Sequence, residues 1–217
     1  MSTSEVKIEE NKSRDSVSST FELLTEQDHV FQGIKDGLND KSCTLIVFGA
    51  SGHLAKTKTF PAIFACFTEN CLSNDFNCIG YGRSKLNKSD FHSRISLKLK
   101  GSKVSNFLDY CTYINGKSYG DPESLIKLFK YIRNKEGNSK NANRLFYLAV
   151  PPNVFSDICA GIKKYMSNED NNGWTRVIIE KPFGNDLESC NKMNIDINKY
   201  LTEKEIYRVD HYLAKEL

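Results

Sequence analysis

Residues 43–60, CTLIVFGASGHLAKTKTF, decide the fold. The run Cys43–Phe48 is almost wholly apolar, which is typical of a strand buried on both faces of a parallel sheet. Gly49, Gly52 and Ala55 follow in a G-x-x-G-x-x-A spacing, directly before the next predicted helix. This is a variant of the dinucleotide fingerprint, whose small residues permit a tight turn, close approach of a pyrophosphate and packing of helix on strand. The same spacing also fits a tight turn without a ligand.

Strand-like and helix-like stretches alternate along the rest of the chain. Further strands are predicted at 78–81, 110–114, 144–150, Thr175–Glu180 and 205–209, and helices at Phe60–Thr68, 89–100 (with Ser89 as its N-cap), 125–132, 154–165 and 187–200. Such alternation predicts an α/β fold with a doubly wound, Rossmann-type, mostly parallel sheet. The domain is expected to span 43–209, after a disordered polar tail at 1–20 and an amphipathic lead-in at 21–42.

Composition excludes several classes of protein. A hydrophobic share of 39%, with 13 Phe and 10 Tyr, is too high for a wholly disordered chain. No apolar run approaches the ~20 residues of a membrane helix, and a net charge of +3 is too small to indicate nucleic acid or a membrane as partner. The seven cysteines include no C-x-x-C pair, so we expect reduced thiols, no metal and a cytoplasmic location.

The segment after the second predicted strand indicates which dinucleotide binds. NAD-binding folds place an Asp or Glu there to hold the ribose hydroxyls, whereas residues 80–85 read GYGRSK and contain no acid. Arg83 can pair with a ribose 2′-phosphate through two hydrogen bonds, and Ser84 can donate to it. Lys56 and Lys58 add positive charge near the glycine loop. The pattern therefore favours NADP over NAD, although a solvated loop arginine would look the same.

Five motifs in order resemble one enzyme family. GASGHLAK, GYGRS, RLFYLAVPP, RVIIEKPFGNDLES and IYRVDHYLAKEL, spread over residues 43–217, are similar to the N-terminal half of glucose-6-phosphate dehydrogenases. EKPFG and RVDHYLAKE are specific to that family, while the glycine loop is not. The resemblance implies NADP-dependent oxidation of glucose 6-phosphate at C1 to 6-phosphoglucono-1,5-lactone, the first step of the oxidative pentose phosphate pathway. A dehydrogenase of another sugar phosphate and a non-catalytic nucleotide-binding domain remain alternatives.

The resemblance also implies roles for individual residues. The phosphate loop would comprise Gly49, Ala50, Ser51, Gly52, His53, Leu54, Ala55 and Lys56, with Lys58 beside it and Arg83 as the 2′-phosphate ligand. Pro151, Pro152 and Phe155 would lie along the nicotinamide side, and Lys181 would contact both cofactor and sugar. His211, Tyr212 and Lys215 would hold the 6-phosphate of the substrate, with Asp210 orienting a catalytic histidine. His211 and Lys215 are four residues apart, so they share one face of the helix whose first turns are expected at 210–217.

Two departures from the family pattern matter. His53 stands where the family usually has aspartate, which leaves the detail of the phosphate loop open. The family chain continues into a second, α+β domain, which brings the general-base histidine and the interface of a homodimer or homotetramer. None of the histidines here is placed to act as that base. We therefore expect residues 1–217 alone to bind NADP⁺ without oxidising glucose 6-phosphate.

Overall fold

The computed structural model describes residues 42–73, 75–137, 141–167, 172–181 and 186–209. The predicted tail, nearly all of the lead-in and the helix predicted at 210–217 lie outside these residues. The proposed limits of the domain therefore stay predictions. None of the described helices is both long and apolar enough to cross a membrane.

The described residues include a sheet of six parallel strands. The strands are β1 (Cys43–Phe48), β2 (Phe76–Gly82), β3 (Cys111–Asn115), β4 (Asn143–Leu148), β5 (Thr175–Glu180) and β6 (Ile206–Val209). Their order across the sheet is β3-β2-β1-β4-β5-β6, with every neighbouring pair parallel. This is the order of the doubly wound dinucleotide-binding fold, so the predicted fold class is confirmed. β1 and β5 have the predicted bounds, and the other strands differ by one or two residues at an end.

Six α-helices of the described residues cover the sheet. They are α1 (Phe60–Thr68), α2 (Lys88–Ser96), α3 (Val104–Tyr110), α4 (Pro122–Glu136), α5 (Phe155–Gly161) and α6 (Leu187–Asn198). A π-helical turn, Ala55–Thr59, leads into α1, and a second, Ile162–Met166, extends α5. The bounds predicted for α1 are confirmed.

The prediction for α2 is wrong at both ends. Its N-cap is Asn87 rather than Ser89, because the Asn87 side chain accepts a hydrogen bond of 2.8 Å from the Asp90 N–H. The helix ends at Ser96, and the chain then forms α3, which the sequence analysis missed. α3 has only two turns, and its fully buried Phe107 packs on the sheet through tertiary contacts that a seven-residue pattern does not reveal.

Hydrophobic cores lie on both faces of the sheet. Ile46 and Phe48 of β1 enter one core, together with residues of α4, α5 and α6. Leu45 and Val47 point to the opposite face and pack with α1, α2 and α3. Alternating side chains of one strand thus reach two separate helix layers, which is why β1 reads as a continuous apolar run.

A buried ion pair joins α4 to the start of β4. Arg144 is fully buried, and it donates to both carboxylate oxygens of Glu136, at 2.7 and 2.6 Å. The same guanidinium donates to the carbonyl oxygen of Met166 at 3.0 Å. Charge and hydrogen bonds are therefore satisfied together, as a buried arginine requires.

Candidate functional site

The strand order creates a crevice between the carboxyl ends of β1 and β4. The chain leaves β1 toward β2 on one side of the sheet, and β4 starts the other half. The Ala149 N–H donates to the Phe48 carbonyl oxygen at 3.0 Å, so these ends are joined side by side. Open α/β sheets bind ligands at this kind of topological switch point.

The turn after β1 can be made only by glycine. Gly49 has a φ of +79°, and a Cβ at this position would lie 2.2 Å from the carbonyl oxygen of Ala149 and 2.8 Å from Cγ1 of Val150. The N–H groups of Gly49 and Ala50 both donate to the carbonyl oxygen of Tyr81, at 2.9 and 3.1 Å. The loop therefore lies directly against the ends of β4 and β2.

Small residues in the glycine loop and in the adjacent strand β2 allow close packing. A Cβ on Gly80 would lie 2.8 Å from the Cβ of Ala50 and 2.7 Å from Cζ of Phe91. Ala55 is fully buried where the helix begins. The Gly52 carbonyl accepts from the Lys56 N–H at 3.3 Å, which makes His53 the first residue of the helical segment. Because N–H groups of a first turn lack helical partners, they can bind an anion in the crevice.

Most side chains of the loop face outward. His53 and Lys58 are exposed, and Ser51, Leu54 and Lys56 are half-buried. The two lysines stand in the first helical turns after the loop. The surface that an anion would meet thus combines backbone donors with positive side chains.

Arg83 lies beside this loop, immediately after β2. It is exposed, and its guanidinium carbon lies 5.5 Å from the ring centroid of Tyr119, in a cation–π arrangement. The Ser51 hydroxyl donates to the Ser84 hydroxyl at 3.2 Å, which joins the two loops. Burial raises the pKa of Tyr119, and the charge of Arg83 opposes this shift. Arg83 is consequently held by a neutral aromatic ring rather than by a carboxylate.

A groove of about 540 Å³ extends from Arg83 along the carboxyl ends of β2, β3 and β4. Its walls include Arg83, Tyr119, Asp121, Val154, Asp157 and Lys164. The volume lies within the usual range for sites that bind cofactors and other small molecules. The groove and the glycine loop together could hold a ligand longer than a single ring.

The ends of β4 and β5 bring the remaining described candidates to the same edge. Pro151 is exposed and Pro152 half-buried, at the start of a 3₁₀ turn, Pro152–Val154. Phe155 is fully buried in the core below, so its side chain supports this turn and does not line the crevice. Because Phe155 is buried, Pro151 and Pro152 remain as the candidates for contact with the nicotinamide side of the cofactor.

Lys181 follows β5 and is exposed, with its N–H donating to the Val209 carbonyl oxygen at 3.1 Å. Glu180, just before it, is buried and accepts a hydrogen bond from the Tyr147 hydroxyl of β4. Burial is the main cause of the raised pKa of Tyr147, and the neighbouring Glu180 adds to it. The end of β5 is therefore tied to strands on both sides.

A family model described as "Glucose-6-phosphate dehydrogenase, NAD binding domain" matches residues 46–217. The chain belongs to the glucose-6-phosphate dehydrogenase family. It is 43% identical over 213 residues to glucose-6-phosphate 1-dehydrogenase 1, chloroplastic, of Arabidopsis thaliana, which covers 93% of this chain and 35% of that protein. It is 42% identical over 194 residues to the cytoplasmic isoform of Solanum tuberosum, which covers 84% of this chain and 38% of the relative.

A solved structure has the same fold. It is described as glucose-6-phosphate dehydrogenase in complex with its substrate glucose-6-phosphate, and it aligns with a TM-score of 0.76 at 38% identity. The alignment covers 82% of this chain and 38% of that one. The chain thus spans about a third of the length of the curated relatives it matches.

The candidate residues fall into two groups: those that the structure describes, and those that lie outside the described residues. The structure brings together the glycine loop, Arg83, the two prolines and Lys181 at one edge of the sheet. Asp210, His211, Tyr212 and Lys215, the candidates for the sugar-phosphate side, lie outside the described residues. Within the described part of the chain, no cluster of His, Cys, Asp or Glu is arranged to hold a metal.

Two residues of the site were missed by the sequence analysis. Tyr119 packs under Arg83, and Tyr113 of β3 donates to the Ser84 carbonyl oxygen at 2.8 Å. Both belong to β3 or the loop after it. In a parallel doubly wound sheet, the end of the strand predicted at 110–114 lies at the ligand edge, which is the signal that could have revealed them.

Proposed function

We propose that this chain supplies the NADP⁺ site of an enzyme that oxidises glucose 6-phosphate at C1 to 6-phosphoglucono-1,5-lactone, the first step of the oxidative pentose phosphate pathway. The observation that carries the proposal is the position of Arg83. It stands beside the glycine loop at the switch point, in a chain of the glucose-6-phosphate dehydrogenase family. Bound there, NADP⁺ would supply the acceptor for the hydride removed from C1.

The residues of the crevice suit the parts of NADP⁺. The first-turn N–H groups after Gly52, with Lys56, would bind the pyrophosphate. Arg83 and Ser84 would bind the 2′-phosphate, since residues 80–85 contain no carboxylate to repel it. The groove beside Arg83 and Tyr119 would take the adenosine. Pro151 and Pro152 would then border the nicotinamide at the end of β4.

The substrate side of the proposal rests on the family motifs. Lys181, at the end of β5, would reach the sugar and the nicotinamide from the same edge of the sheet. His211, Tyr212 and Lys215 would bind the 6-phosphate, and Asp210 would orient the general base. His92 is unsuited as that base because of its location: its Nε2 makes a hydrogen bond of 2.8 Å to the carbonyl oxygen of Cys111, at the amino end of β3 and thus away from the ligand edge. All seven cysteines are free thiols, and we propose a cytoplasmic location.

Cofactor choice is tested by fluorescence titration of the 217-residue chain with NADP⁺ and with NAD⁺. Arg83→Ala should weaken NADP⁺ binding about 10- to 100-fold, the effect of losing a charge-assisted pair of ~1.5–3 kcal/mol. NAD⁺ affinity should change less than about twofold, because NAD⁺ has no 2′-phosphate. Lys85→Ala, at an exposed position two residues away, is the matched control. Equal weakening of both dinucleotides by Arg83→Ala would contradict the assignment.

The reaction is tested by joining residues 1–217 to the remaining C-terminal region of a relative, such as the cytoplasmic isoform of Solanum tuberosum. We expect this joined protein to produce NADPH from glucose 6-phosphate, and residues 1–217 alone to produce none. Loss of a general base by itself costs about 10²–10⁴-fold in rate. A joined protein that oxidises a different sugar phosphate and leaves glucose 6-phosphate unchanged would overturn the proposed substrate.

A further inference from the structure

Three hydroxyl-bearing side chains meet next to Gly82, at the end of β2. The Tyr113 hydroxyl donates to the Ser84 carbonyl oxygen at 2.8 Å, and the Ser51 hydroxyl donates to the Ser84 hydroxyl at 3.2 Å. A Cβ on Gly82 would lie 2.8 Å from the Tyr113 oxygen and 3.1 Å from the Ser51 oxygen. The cluster therefore joins β3, the glycine loop and the segment that carries Arg83.

The ring of Tyr113 is held in place by its contact with a buried aromatic ring. Tyr113 pairs with Gly80 in the β2–β3 register, and its ring centroid lies 4.9 Å from that of Phe91. Phe91 is fully buried in the core, so it is a fixed support. With the ring held in this way, the hydroxyl is directed at the Ser84 backbone at little further cost in conformational entropy.

The environment keeps the Tyr113 hydroxyl neutral. Burial raises its pKa from the ordinary value of 10.0, while the neighbouring Ser51 hydroxyl and the charge of Arg94 act in the opposite direction. A neutral phenol remains a hydrogen-bond donor at all physiological pH values, and it adds no negative charge beside Arg83.

We propose that Tyr113 is a positioning residue for cofactor selectivity: its hydroxyl holds the Ser84 backbone, and thereby Arg83, in the place where the 2′-phosphate of NADP⁺ binds. This inference rests on the proposed function of Arg83. The Ser51–Ser84 hydrogen bond has a second, weaker part in the same arrangement. Tyr113 acts through the loop, so its effect requires the 2′-phosphate and the side chains that bind it, chiefly the Arg83 guanidinium.

The test is a double-mutant cycle between Tyr113→Phe and Arg83→Ala in the 217-residue chain, with the dissociation constants of NADP⁺ and NAD⁺ measured for each variant. Tyr113→Phe keeps the ring on Phe91 and removes only the hydroxyl. We expect it to weaken NADP⁺ binding about 3- to 10-fold, the range for one lost hydrogen bond, and to change NAD⁺ binding less than about twofold. In the Arg83→Ala background, the effect of Tyr113→Phe on NADP⁺ should fall below about twofold.

Tyr110→Phe is the control, because Tyr110 is an exposed tyrosine at the end of α3, immediately before β3, and packs on Phe67 and Phe76. It should leave both affinities unchanged. Ser51→Ala is a second probe of the cluster and decides the question if Tyr113→Phe fails to fold. Because Ser51 belongs to the phosphate loop, this variant is judged by the ratio of NADP⁺ to NAD⁺ affinity, which should fall in the same direction and by a smaller factor. Equal loss of NADP⁺ and NAD⁺ binding, or full additivity with Arg83→Ala, would overturn the inference. If Arg83→Ala itself shows no selectivity for NADP⁺, the proposed cofactor assignment is wrong instead.

Discussion

Replacing Gly49 with alanine should be far more costly than the same change at other glycines with positive φ. Gly49 has a φ of +79°, a region that costs a residue with a Cβ about 1–2 kcal/mol. The added Cβ would also lie 2.2 Å from the carbonyl oxygen of Ala149, a backbone atom held by β4. Overpacking of this kind typically costs about 1–3 kcal/mol. We expect Gly49→Ala to lower the free energy of unfolding by about 2–5 kcal/mol.

Gly101 and Gly137 provide matched controls for the backbone alone. Their φ values are +115° and +58°, and a Cβ on either would meet no atom within 4 Å. Gly101→Ala and Gly137→Ala should therefore show only the cost of an unfavourable φ, about 1–3 kcal/mol. The difference between Gly49→Ala and these controls isolates the contact with β4.

Urea unfolding at neutral pH measures these free energies, and titration with NADP⁺ measures the consequence for the site. Relief of the contact requires the ends of β1 and β4 to separate, and this is the crevice where we propose that the pyrophosphate binds. Gly49→Ala should weaken NADP⁺ binding more than about tenfold, while the two controls leave it within about twofold. If Gly49→Ala costs no more stability than the controls, the close approach of β1 and β4 at this turn is not a constraint and the reasoning is refuted.

Three other predictions concern stability. Glu136→Gln leaves the buried Arg144 without its counter-charge and should lower the free energy of unfolding in urea by about 3–5 kcal/mol. Glu123→Gln, in the exposed pair with Lys117, should lower it by at most about 0.5 kcal/mol. Equal costs would disprove the role of the buried pair. Burial raises the pKa of Tyr81 from 10.0 to about 12. Between pH 10 and 12 the Tyr81 hydroxyl is therefore deprotonated in the unfolded state before it is in the folded state. Wild-type stability should fall more steeply over this range than that of Tyr81→Phe, by up to about 1.4 kcal/mol per pH unit. Parallel pH profiles of the two proteins would refute this. His53→Asp places an acid at the start of a helical segment and should raise the free energy of unfolding by about 0.3–1 kcal/mol, with NADP⁺ affinity unchanged within about twofold. A clear loss of NADP⁺ affinity in this variant would instead show that the His53 side chain helps to bind phosphate.

Elements whose signals are local can be predicted from the sequence alone. β1 and β5 were predicted with the correct bounds because each is a short apolar run that ends at a residue unable to continue it, Gly49 in one and the Lys181–Pro182 step in the other. Strict alternation of strands and helices indicated the doubly wound sheet, since parallel neighbours need crossover helices. The glycine loop and Arg83 followed from spacing along a single βαβ unit.

Contacts between residues that are distant in the sequence become visible only in the folded chain. Arg144 is a charged residue in a predicted apolar strand, and its burial is explained only by Glu136 on the neighbouring helix. α3 is stable because Phe107 packs into the core, since two turns alone are too short to hold a helix. Tyr113 and Tyr119 are thirty or more residues from Arg83 along the chain. Because β3 pairs with β2, Tyr113 reaches Ser84 and Tyr119 reaches Arg83. Hydrogen bonds and ring contacts of this kind depend on distances across the sheet, and residue spacing in the sequence does not record them.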